Sequence, residues 1–270
     1  MKIEEHVEVA AWADLAEAAE AVELERFSGA AVLYTPGEPG ILFNRAFGLD
    51  EVSVAQTSRV LDCFASAGVH RFFVHLWPEA AASVGTRLEA RDVVPYPRAW
   101  LKLGRDRAPV RDAATSLAIR AATPADGAAF GAILAAGFDF GTVGASAMTT
   151  LIGRPRWYTF VATDGPKVVA AAGLFVDGDA GYLPFAATLP DARKRGAQAA
   201  LMAERLRVAQ DLGCRKVFTE TGEAADGDPN HSFKNMLRAG FRVTGTRSNY
   251  APRGMRWVDE DGDRRPGGRP

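Results

Sequence analysis

A short basic segment in the second half of the chain carries residue types that bind phosphate. Arg193, Lys194 and Arg195 precede Gly196, and the helical pattern AALMAERLRVAQDLG follows almost at once. The first turn of a helix has unpaired backbone N–H groups and a partial positive charge, which attract anions. A glycine here lets the backbone approach a ligand closely. The spacing therefore predicts an anion-binding turn, although a strand, a basic turn and a helix also occur together without a ligand.

The segment TLPDARKRGAQ, residues 188–198, resembles the pyrophosphate-binding signature of the GCN5-related N-acetyltransferase (GNAT) family. In that family the signature follows a central strand and reads Val-x-Pro-x-x-Arg-x-x-Gly-x-Gly. Gln198 departs from the pattern, because Gly or Ala is usual at its position. The residues at the first four marked positions are Thr188, Pro190, Arg193 and Gly196.

A second segment, NHSFKNMLRAGF from Asn230 to Phe241, resembles a later helix of the same family. It has Asn near its start and Gly-Phe at its end, and it follows the first segment in the family's order. The resemblance covers roughly residues 117–252. It implies an acyl-CoA-dependent N-acyltransferase that moves an acetyl or small acyl group from coenzyme A to an amine.

The resemblance also implies where the coenzyme lies. The family's strand carries a bulge that opens a slot for the thioester, and Pro184 with the pair Ala186–Ala187 indicates such a break; a solvent-facing irregularity would explain Pro184 equally well. Asn230 follows Pro229, so we favour a helix N-cap for it, which is compatible with coenzyme contact. The residues expected to bind coenzyme A are Ala186, Ala187, Thr188, Arg193, Lys194, Arg195, Gly196, Ala197, Gln198, Asn230 and Asn235.

The catalytic residues are less well defined by the resemblance. Acyl transfer needs a neutral amine, a hydrogen bond to the developing oxyanion and a proton for the departing thiolate. The family often supplies that proton from a Tyr four residues before the Gly-Phe pair, and here Met236 takes its place. Tyr182, Ser232 or a water are the remaining candidates. If none of them serves, the domain is an acyl-CoA binding or sensing module without catalysis.

Composition limits the other classes of function. The chain of 270 residues has a formal net charge of −1, without the basic excess of a nucleic-acid binder. Cys63 and Cys214 are far apart, and no pair of the four histidines has a metal-ligand spacing, so we expect neither a disulfide framework nor a metal. The acidic N-terminus lacks the features of a signal peptide, and no apolar run is long enough to span a membrane. These features predict a cytoplasmic protein.

The length predicts two domains, since one domain takes about 150 residues. We expect an α/β (α+β) fold of two GNAT-like domains, each with a mixed, mostly antiparallel central sheet flanked by helices. In the first half ILFNRAFGL, a helix, RFFVHLW, a helix and WLKLG repeat the order of the second half, although an unrelated small α/β domain is the alternative. The predicted segments are a degenerate first domain (1–104), a linker (105–116), the GNAT domain (117–252) and a disordered tail (253–270).

The coenzyme is expected in the second half only, because the first-half loop from Gly48 to Thr57 lacks the signature and carries two acids. The acceptor, a small-molecule amine or a peptide, has no transferable signature, and whether the chain forms a homodimer is left open. A structural α/β protein without any ligand is a third interpretation. The tryptophans are typical of a core or a domain interface, with one as a candidate for an acceptor cleft: Trp12, Trp77, Trp100 and Trp157.

Overall fold

The computed structural model describes residues 2–27, 29–49, 56–224 and 230–255. Within these ranges the chain forms seven α-helices and thirteen β-strands, and the strands join in one sheet. Most neighbouring strands are antiparallel, and helices cover the sheet, so the predicted mixed fold is confirmed. None of the helices in these ranges is both long and apolar enough to cross a membrane.

The first half contains the predicted alternation of strands and helices, together with three elements that were not predicted: a helix over Ile3–Ala18 and strands over Glu23–Phe27 and Val93–Pro95. The segment ILFNRAF was predicted as a strand. In the structure Ile41–Phe43 form a single 3₁₀ turn, and only the last three residues of the segment, Arg45–Phe47, form a strand. Residues 50–55, most of the loop expected not to bind coenzyme, lie outside the described residues. The elements are α1 (Ile3–Ala18), β1 (Glu23–Phe27), β2 (Ala30–Tyr34), β3 (Arg45–Phe47), α2 (Thr57–Ser66), β4 (Phe73–Leu76), α3 (Pro78–Glu89), β5 (Val93–Pro95) and β6 (Trp100–Asp106).

The second half has the predicted order of strand, two helices, three strands, helix, strand, helix and strand, except that its third long strand is split. Thr123 and Asp126 form a capping box at the start of the first helical segment. The elements are β7 (Ala118–Ala121), α4 (Gly127–Phe138), α5 (Thr142–Thr149), β8 (Trp157–Asp164), β9 (Lys167–Asp177), β10 (Ala180–Leu183), β11 (Ala186–Thr188), α6 (Ala197–Asp211), β12 (Lys216–Gly222), α7 (His231–Arg238) and β13 (Arg242–Pro252).

The two halves exchange strands. The order along the sheet is β1-β2-β3-β4-β13-β6-β12-β10-β9-β8-β7, so the last strand of the first half lies between two strands of the second. Lys102 of β6 is opposite Glu220 of β12 and Gly245 of β13. The pairs β3·β4 and β10·β12 are parallel, which places the ends of β10 and β12 at one edge of the fold. The interface between the halves is therefore a continuous sheet.

The N-terminal helix strengthens this connection. Trp12 and Leu15 of α1 are buried in the same apolar cluster as Phe175 and Tyr182, which belong to the second half. Burying such side chains stabilises the fold by about 1.5–3 kcal/mol each. The first helix thus packs on the second half's sheet as well as on its own.

The predicted linker and tail each begin with residues that are ordered in the structure. Strand β6 continues to Asp106, so the first two residues of the predicted linker 105–116 are extended and hydrogen-bonded. The predicted tail begins in a turn, where Arg253 contacts Asp92 through both its backbone N–H and its guanidinium, so its first residues are held in place. The rest of the tail, residues 256–270, lies outside the described residues. The division into two domains stays a prediction.

Candidate functional site

The break in the third long strand of the second half forms the centre of the site. β10 ends at Leu183 and β11 begins at Ala186, with Pro184 and Phe185 between them. β10 is paired with β9 and β12, whereas β11 pairs only with β9 among the described strands. The predicted break near Pro184 is confirmed. Its physical reason is that Pro184 has no N–H for a sheet hydrogen bond, and beyond it β12 and β11 are no longer neighbours.

A cavity of about 320 Å³ lies at this break. Its walls come from the strand ends, from α6 and α7, from the C-terminal end of α4 and from the first half of the chain. Cavities of this size accommodate a small molecule or part of a larger one. Among the residues predicted to bind coenzyme or to donate a proton, those that line it are Ala186, Gln198 and Ser232.

The start of α6 has the geometry expected of an anion site. Gly196 is the N-cap residue, and no side chain caps the helix. The N–H groups of its first turn, from Ala197 onward, therefore lack a side-chain acceptor, and they carry the partial positive charge of the helix. Arg193 and Lys194 are exposed beside this turn. Both features favour phosphate at this position.

Packing within the protein favours a glycine at position 196. Its φ is +84°, and a Cβ there would lie 2.2 Å from the carbonyl oxygen of Ala114. The close approach of a ligand to Gly196 stays a prediction. The neighbouring Thr115 hydroxyl donates a hydrogen bond of 2.7 Å to the carbonyl of Arg195. The segment before β7 thus packs directly against the basic turn and holds its backbone.

Arg195 is less available for a ligand than its sequence position implied. Its guanidinium donates two hydrogen bonds to Asp164, at 2.6 and 3.1 Å, and one to the hydroxyl of Ser116. The side-chain hydrogen bond from Arg195 holds the pKa of Asp164 below its usual value. Arg195 therefore fixes the turn, while Arg193 and Lys194 contribute the more exposed positive charges.

Gln198 connects the starts of α6 and α7. Its Nε2 donates to the hydroxyl of Ser232 at 3.0 Å, and its Oε1 accepts from Nδ2 of Asn235 at 2.6 Å. The family's usual Gly or Ala at this position has no side chain for such contacts. The departure of Gln198 from the signature therefore has a structural consequence, because it ties together the two helices that flank the cavity.

Asn230 caps α7, as favoured from the sequence. Its Oδ1 accepts a hydrogen bond of 2.9 Å from the N–H of Phe233, and its backbone has a φ of +41°. Its Nδ2 donates to the hydroxyl of Thr221 and to the carbonyl of Gly222. Asn230 thus attaches α7 to the end of β12. Contact with a coenzyme stays a prediction.

The structure separates the candidate proton donors. Ser232 lines the cavity, whereas Tyr182 does not and is fully buried, with its hydroxyl donating to Glu220 at 3.1 Å. Burial, together with the charges of Glu220 and Glu8, raises the pKa of Tyr182 well above its usual value. Met236 lines the cavity and is only 7% exposed. An apolar side chain therefore stands where the family resemblance places a tyrosine.

A buried cluster of six charged side chains lies behind the cavity, and the sequence analysis did not identify it. Three carboxylates face three cations with nitrogen–oxygen distances of 2.7–3.4 Å. In the sequence these residues share no motif, and only charges within otherwise apolar strands, such as Lys102 in WLKLG, signal them. We call this group the interface charge cluster: Glu5, Glu8, Arg45, Lys102, Glu220 and Arg247.

Glu220 is the member of this cluster that lines the cavity. Burial opposes its ionisation, but the charges of Lys102, Arg45 and Arg247 outweigh burial and hold its pKa well below the usual value. Glu220 is therefore ionised at neutral pH. Because three cations already contact it, it is poorly suited to accept a proton.

His75 lies on β4 beside the cluster and is fully buried. Its Nδ1 donates to Oδ1 of Asn249 at 2.7 Å, and its Nε2 has no hydrogen-bond partner among the described residues. Burial, with the charges of Arg247 and Arg45, holds the pKa of His75 well below 6.5, so the ring is neutral at neutral pH. Asn249 in turn lines the cavity and donates to the carbonyl of Arg98.

The first half supplies one wall of the cavity, which the sequence analysis left unassigned apart from a candidate tryptophan. The aromatic rings of this wall contact one another, with 5.1 Å between the centroids of Phe73 and Tyr96 and 6.3 Å between those of Phe73 and Trp100. Their signal was the density of aromatic residues near the end of the first half. The residues of this wall are Leu42, Phe73, Tyr96, Arg98 and Trp100.

Within the described ranges, no three His, Cys, Asp or Glu side chains are placed to hold a metal ion. Both cysteines are buried thiols. Burial raises the pKa of the Cys63 thiol to about 11 and that of Cys214 above its usual value. The thiols are therefore protonated at neutral pH, and neither has the lowered pKa of a nucleophilic cysteine.

Comparison with known families and structures adds independent information. Residues 135–236 match the model of the acetyltransferase (GNAT) family. This segment includes the broken strand, the basic turn and the residues of α7 up to Met236. No curated protein sequence matches the chain.

Several solved structures share the fold over both halves. A GCN5-related N-acetyltransferase from Kribbella flavida is similar over 96% of this chain and 99% of its own, with a TM-score of 0.65 and 16% identity. A GCN5-related N-acetyltransferase from Sphaerobacter thermophilus is similar over 84% of this chain and 81% of its own, with a TM-score of 0.59 and 14% identity. A tandem GNAT protein from the clavulanic acid biosynthesis pathway is similar over 88% of this chain and 86% of its own, with a TM-score of 0.56 and 14% identity. At such identities the likeness concerns the fold alone.

Proposed function

We propose that the protein transfers an acetyl or other small acyl group from coenzyme A to an amine, because residues 135–236 match the model of the acetyltransferase (GNAT) family. The observation that carries this proposal is the strand broken between Leu183 and Ala186, which opens onto a cavity beside the uncapped start of α6. The likeness to a tandem GNAT protein over both halves supports the interpretation of the first half as a degenerate second copy.

The donor side of the site combines two kinds of backbone contact. One edge of β11, from Ala186 to Thr188, has no neighbouring strand among the described residues, so its N–H and C=O groups can pair with the extended pantetheine arm. The first turn of α6 then faces the diphosphate, with Arg193 and Lys194 beside it. In this proposal the thioester lies near the strand break.

The acceptor side is the part of the cavity bounded by the first half. Aromatic rings and the Arg98 guanidinium line it, and the charge of Glu220 is balanced by neighbouring cations. An amine or a short peptide segment fits a cavity of about 320 Å³. A cytoplasmic location stays a prediction from composition.

Ser232 is the candidate for delivering a proton to the departing thiolate. It lines the cavity, and Nε2 of Gln198 donates to its oxygen, which leaves its hydroxyl hydrogen for another acceptor. Replacing it with alanine in the active protein would lower kcat while leaving the affinity for acetyl-CoA nearly unchanged.

The first experiment is calorimetric titration of the full chain with acetyl-CoA and with coenzyme A. We expect one site per chain, and weaker binding in Lys194→Glu, because that change reverses an exposed charge beside the phosphate turn. The matched control is Lys216→Glu, an exposed residue at the opposite end of β12 from Glu220. Absence of binding, or equal affinity in both variants, would contradict the assignment.

A second candidate function, acyl-CoA binding without catalysis, is favoured by Met236 alone. A methionine in the cavity wall cannot donate a proton. Release of free coenzyme A from acetyl-CoA in the presence of a panel of amines distinguishes the two. Amine-dependent release supports the transferase, and tight binding with no release by any amine supports the binding module.

A further inference from the structure

Arg205 is a buried cation at the strand break whose charge no described carboxylate balances. It lies on α6, is 2% exposed and lines the cavity. Three other cations are fully buried, namely Arg45, Lys102 and Arg247, and each of them contacts at least two carboxylates. Arg105, which is 7% exposed, also lacks a described carboxylate, but its guanidinium nitrogens all donate to backbone carbonyls. Among the fully buried cations of the described chain, Arg205 is therefore the exception.

The guanidinium of Arg205 is held in a fixed orientation. Nε donates to the carbonyl of Leu201 at 3.0 Å, and Nη1 donates to the carbonyls of Gly173 and Phe185 at 3.1 and 3.2 Å. These bonds hold the planar group between β9 and Phe185, which follows Pro184 in the strand break. A guanidinium has five N–H donors, so the two on Nη2 are left without a protein acceptor among the described residues.

The charge state follows from this environment. Burial lowers the pKa of Arg205 to about 9, and no neighbouring carboxylate affects it. The side chain is still cationic at neutral pH. A cation buried away from water without an anion is energetically unfavourable, so the site gains from an anionic group that accepts the remaining N–H bonds.

We propose that Arg205 binds a carboxylate of the reacting molecules, carried either by the acyl group of the thioester or by the amine acceptor. This inference rests on the proposed function, because the thioester is expected at the strand break. A carboxylate matches the fork of a guanidinium better than any neutral group does. The carboxylate of Glu220 does not take this role, since it contacts Lys102, Arg45 and Arg247 instead.

The donor source is tested by calorimetry with succinyl-CoA and butyryl-CoA, which have acyl chains of equal length and differ in the terminal carboxylate. If the carboxylate comes from the donor, we expect succinyl-CoA to bind about tenfold more tightly or better, as for a hydrogen bond to a charged group. Arg205→Met should abolish this preference. The control Arg207→Met, on the same helix with an exposed guanidinium paired to Glu204 and Asp112, should keep it.

The acceptor source is tested in the same protein saturated with coenzyme A. Phenylalanine is compared with 2-phenylethylamine, which lacks only the carboxylate. If the carboxylate comes from the acceptor, phenylalanine binds more tightly in the unmodified protein and in Arg207→Met, but not in Arg205→Met. The ligand pair that shows the preference identifies which reacting molecule carries the carboxylate.

The unmodified protein alone can overturn the proposal. Equal affinity within both ligand pairs would contradict it even if Arg205→Met failed to fold, and so would a preference that survives in Arg205→Met. If acetyl-CoA binds while neither pair shows a preference, only the role of Arg205 is wrong. If no coenzyme binds, the proposed function fails and this inference fails with it.

Discussion

Lys102 and Glu220 form a buried ion pair between the two halves of the chain, with Nζ 3.0 Å from Oε2. The lysine side chain is fully buried and that of the glutamate is 5% exposed. Lys102 also contacts Glu8 of the first helix at 2.8 Å. Because Glu220 lines the cavity, the contact that joins the halves also positions part of the site.

Glu220→Gln should destabilise the protein by about 3–5 kcal/mol, because three buried cations would keep only two carboxylates. Chemical denaturation gives the free energy of unfolding. The control is Glu79→Gln, whose exposed contact with Lys2 should contribute little to stability, because solvent screens it. If Glu220→Gln lowers the free energy of unfolding no more than the control does, the interface charge cluster is not needed for stability.

Stability should fall as the pH drops below about 6.5, the ordinary histidine pKa, because the unfolded chain then binds a proton that His75 in the fold does not. The folded pKa is the lower one, so the stabilising effect is complete above the unfolded pKa and is lost as the pH falls. The slope from this group is at most about 1.4 kcal/mol per pH unit.

His75→Gln removes that titration, so its urea midpoint should depend less steeply on pH between 5 and 6.5 than that of the unmodified protein. Above pH 7.5 the two curves should run in parallel. Equal slopes over the acidic range would mean that His75 takes up its proton in the folded state as readily as in the unfolded one.

Gly196→Ala should be more destabilising than Gly213→Ala, although the two residues have nearly equal φ values of +84° and +86°. The left-handed conformation costs about 1–2 kcal/mol for either alanine. A Cβ at Gly213 meets nothing within 4 Å, whereas one at Gly196 lies 2.2 Å from the carbonyl oxygen of Ala114. That overlap should add about 1–3 kcal/mol. Thermal or chemical unfolding measures both, and equal losses would contradict the observed packing.

Asn230→Gly should lower the free energy of unfolding by about 1–3 kcal/mol, because it removes the cap of α7 and leaves buried hydrogen-bonding groups unpaired. Glycine adds no backbone strain at this positive φ. The local readout is hydrogen exchange at the Phe233 amide, which donates to Asn230. Exchange there should become faster. In the control Asn235→Ala, whose side chain contacts Gln198 and Arg238 instead, it should change little.

Local patterns accounted for much of the second half. The strand and helix order, the break near Pro184, the helix that begins after Gly196 and the cap at Asn230 were all predicted, because each depends on residues near one another in the sequence. Proline removes a sheet hydrogen bond, glycine permits a positive φ, and asparagine is a preferred residue at a helix N-cap.

Contacts between distant residues were not predicted. The interface charge cluster extends from Glu5 to Arg247, and no pattern in the chain indicates that its members meet. The aromatic wall from the first half, of which only a tryptophan was a candidate, and the ion pair of Arg195 with Asp164 also join residues far apart in the sequence. Arg205 lies in a segment with the pattern of an amphipathic helix, and its position in the sequence does not indicate that it is buried.

The sequence by itself determined the fold class, the element order of the second half and the position of its basic turn before a helix. Each of these follows from local propensity and from short motifs. Only the tertiary structure decided that β6 inserts between β12 and β13, and which charges at the break are balanced and which are not. The physical reason is that desolvation and ion pairing depend on the residues brought together by folding, which their separation in the sequence does not reveal.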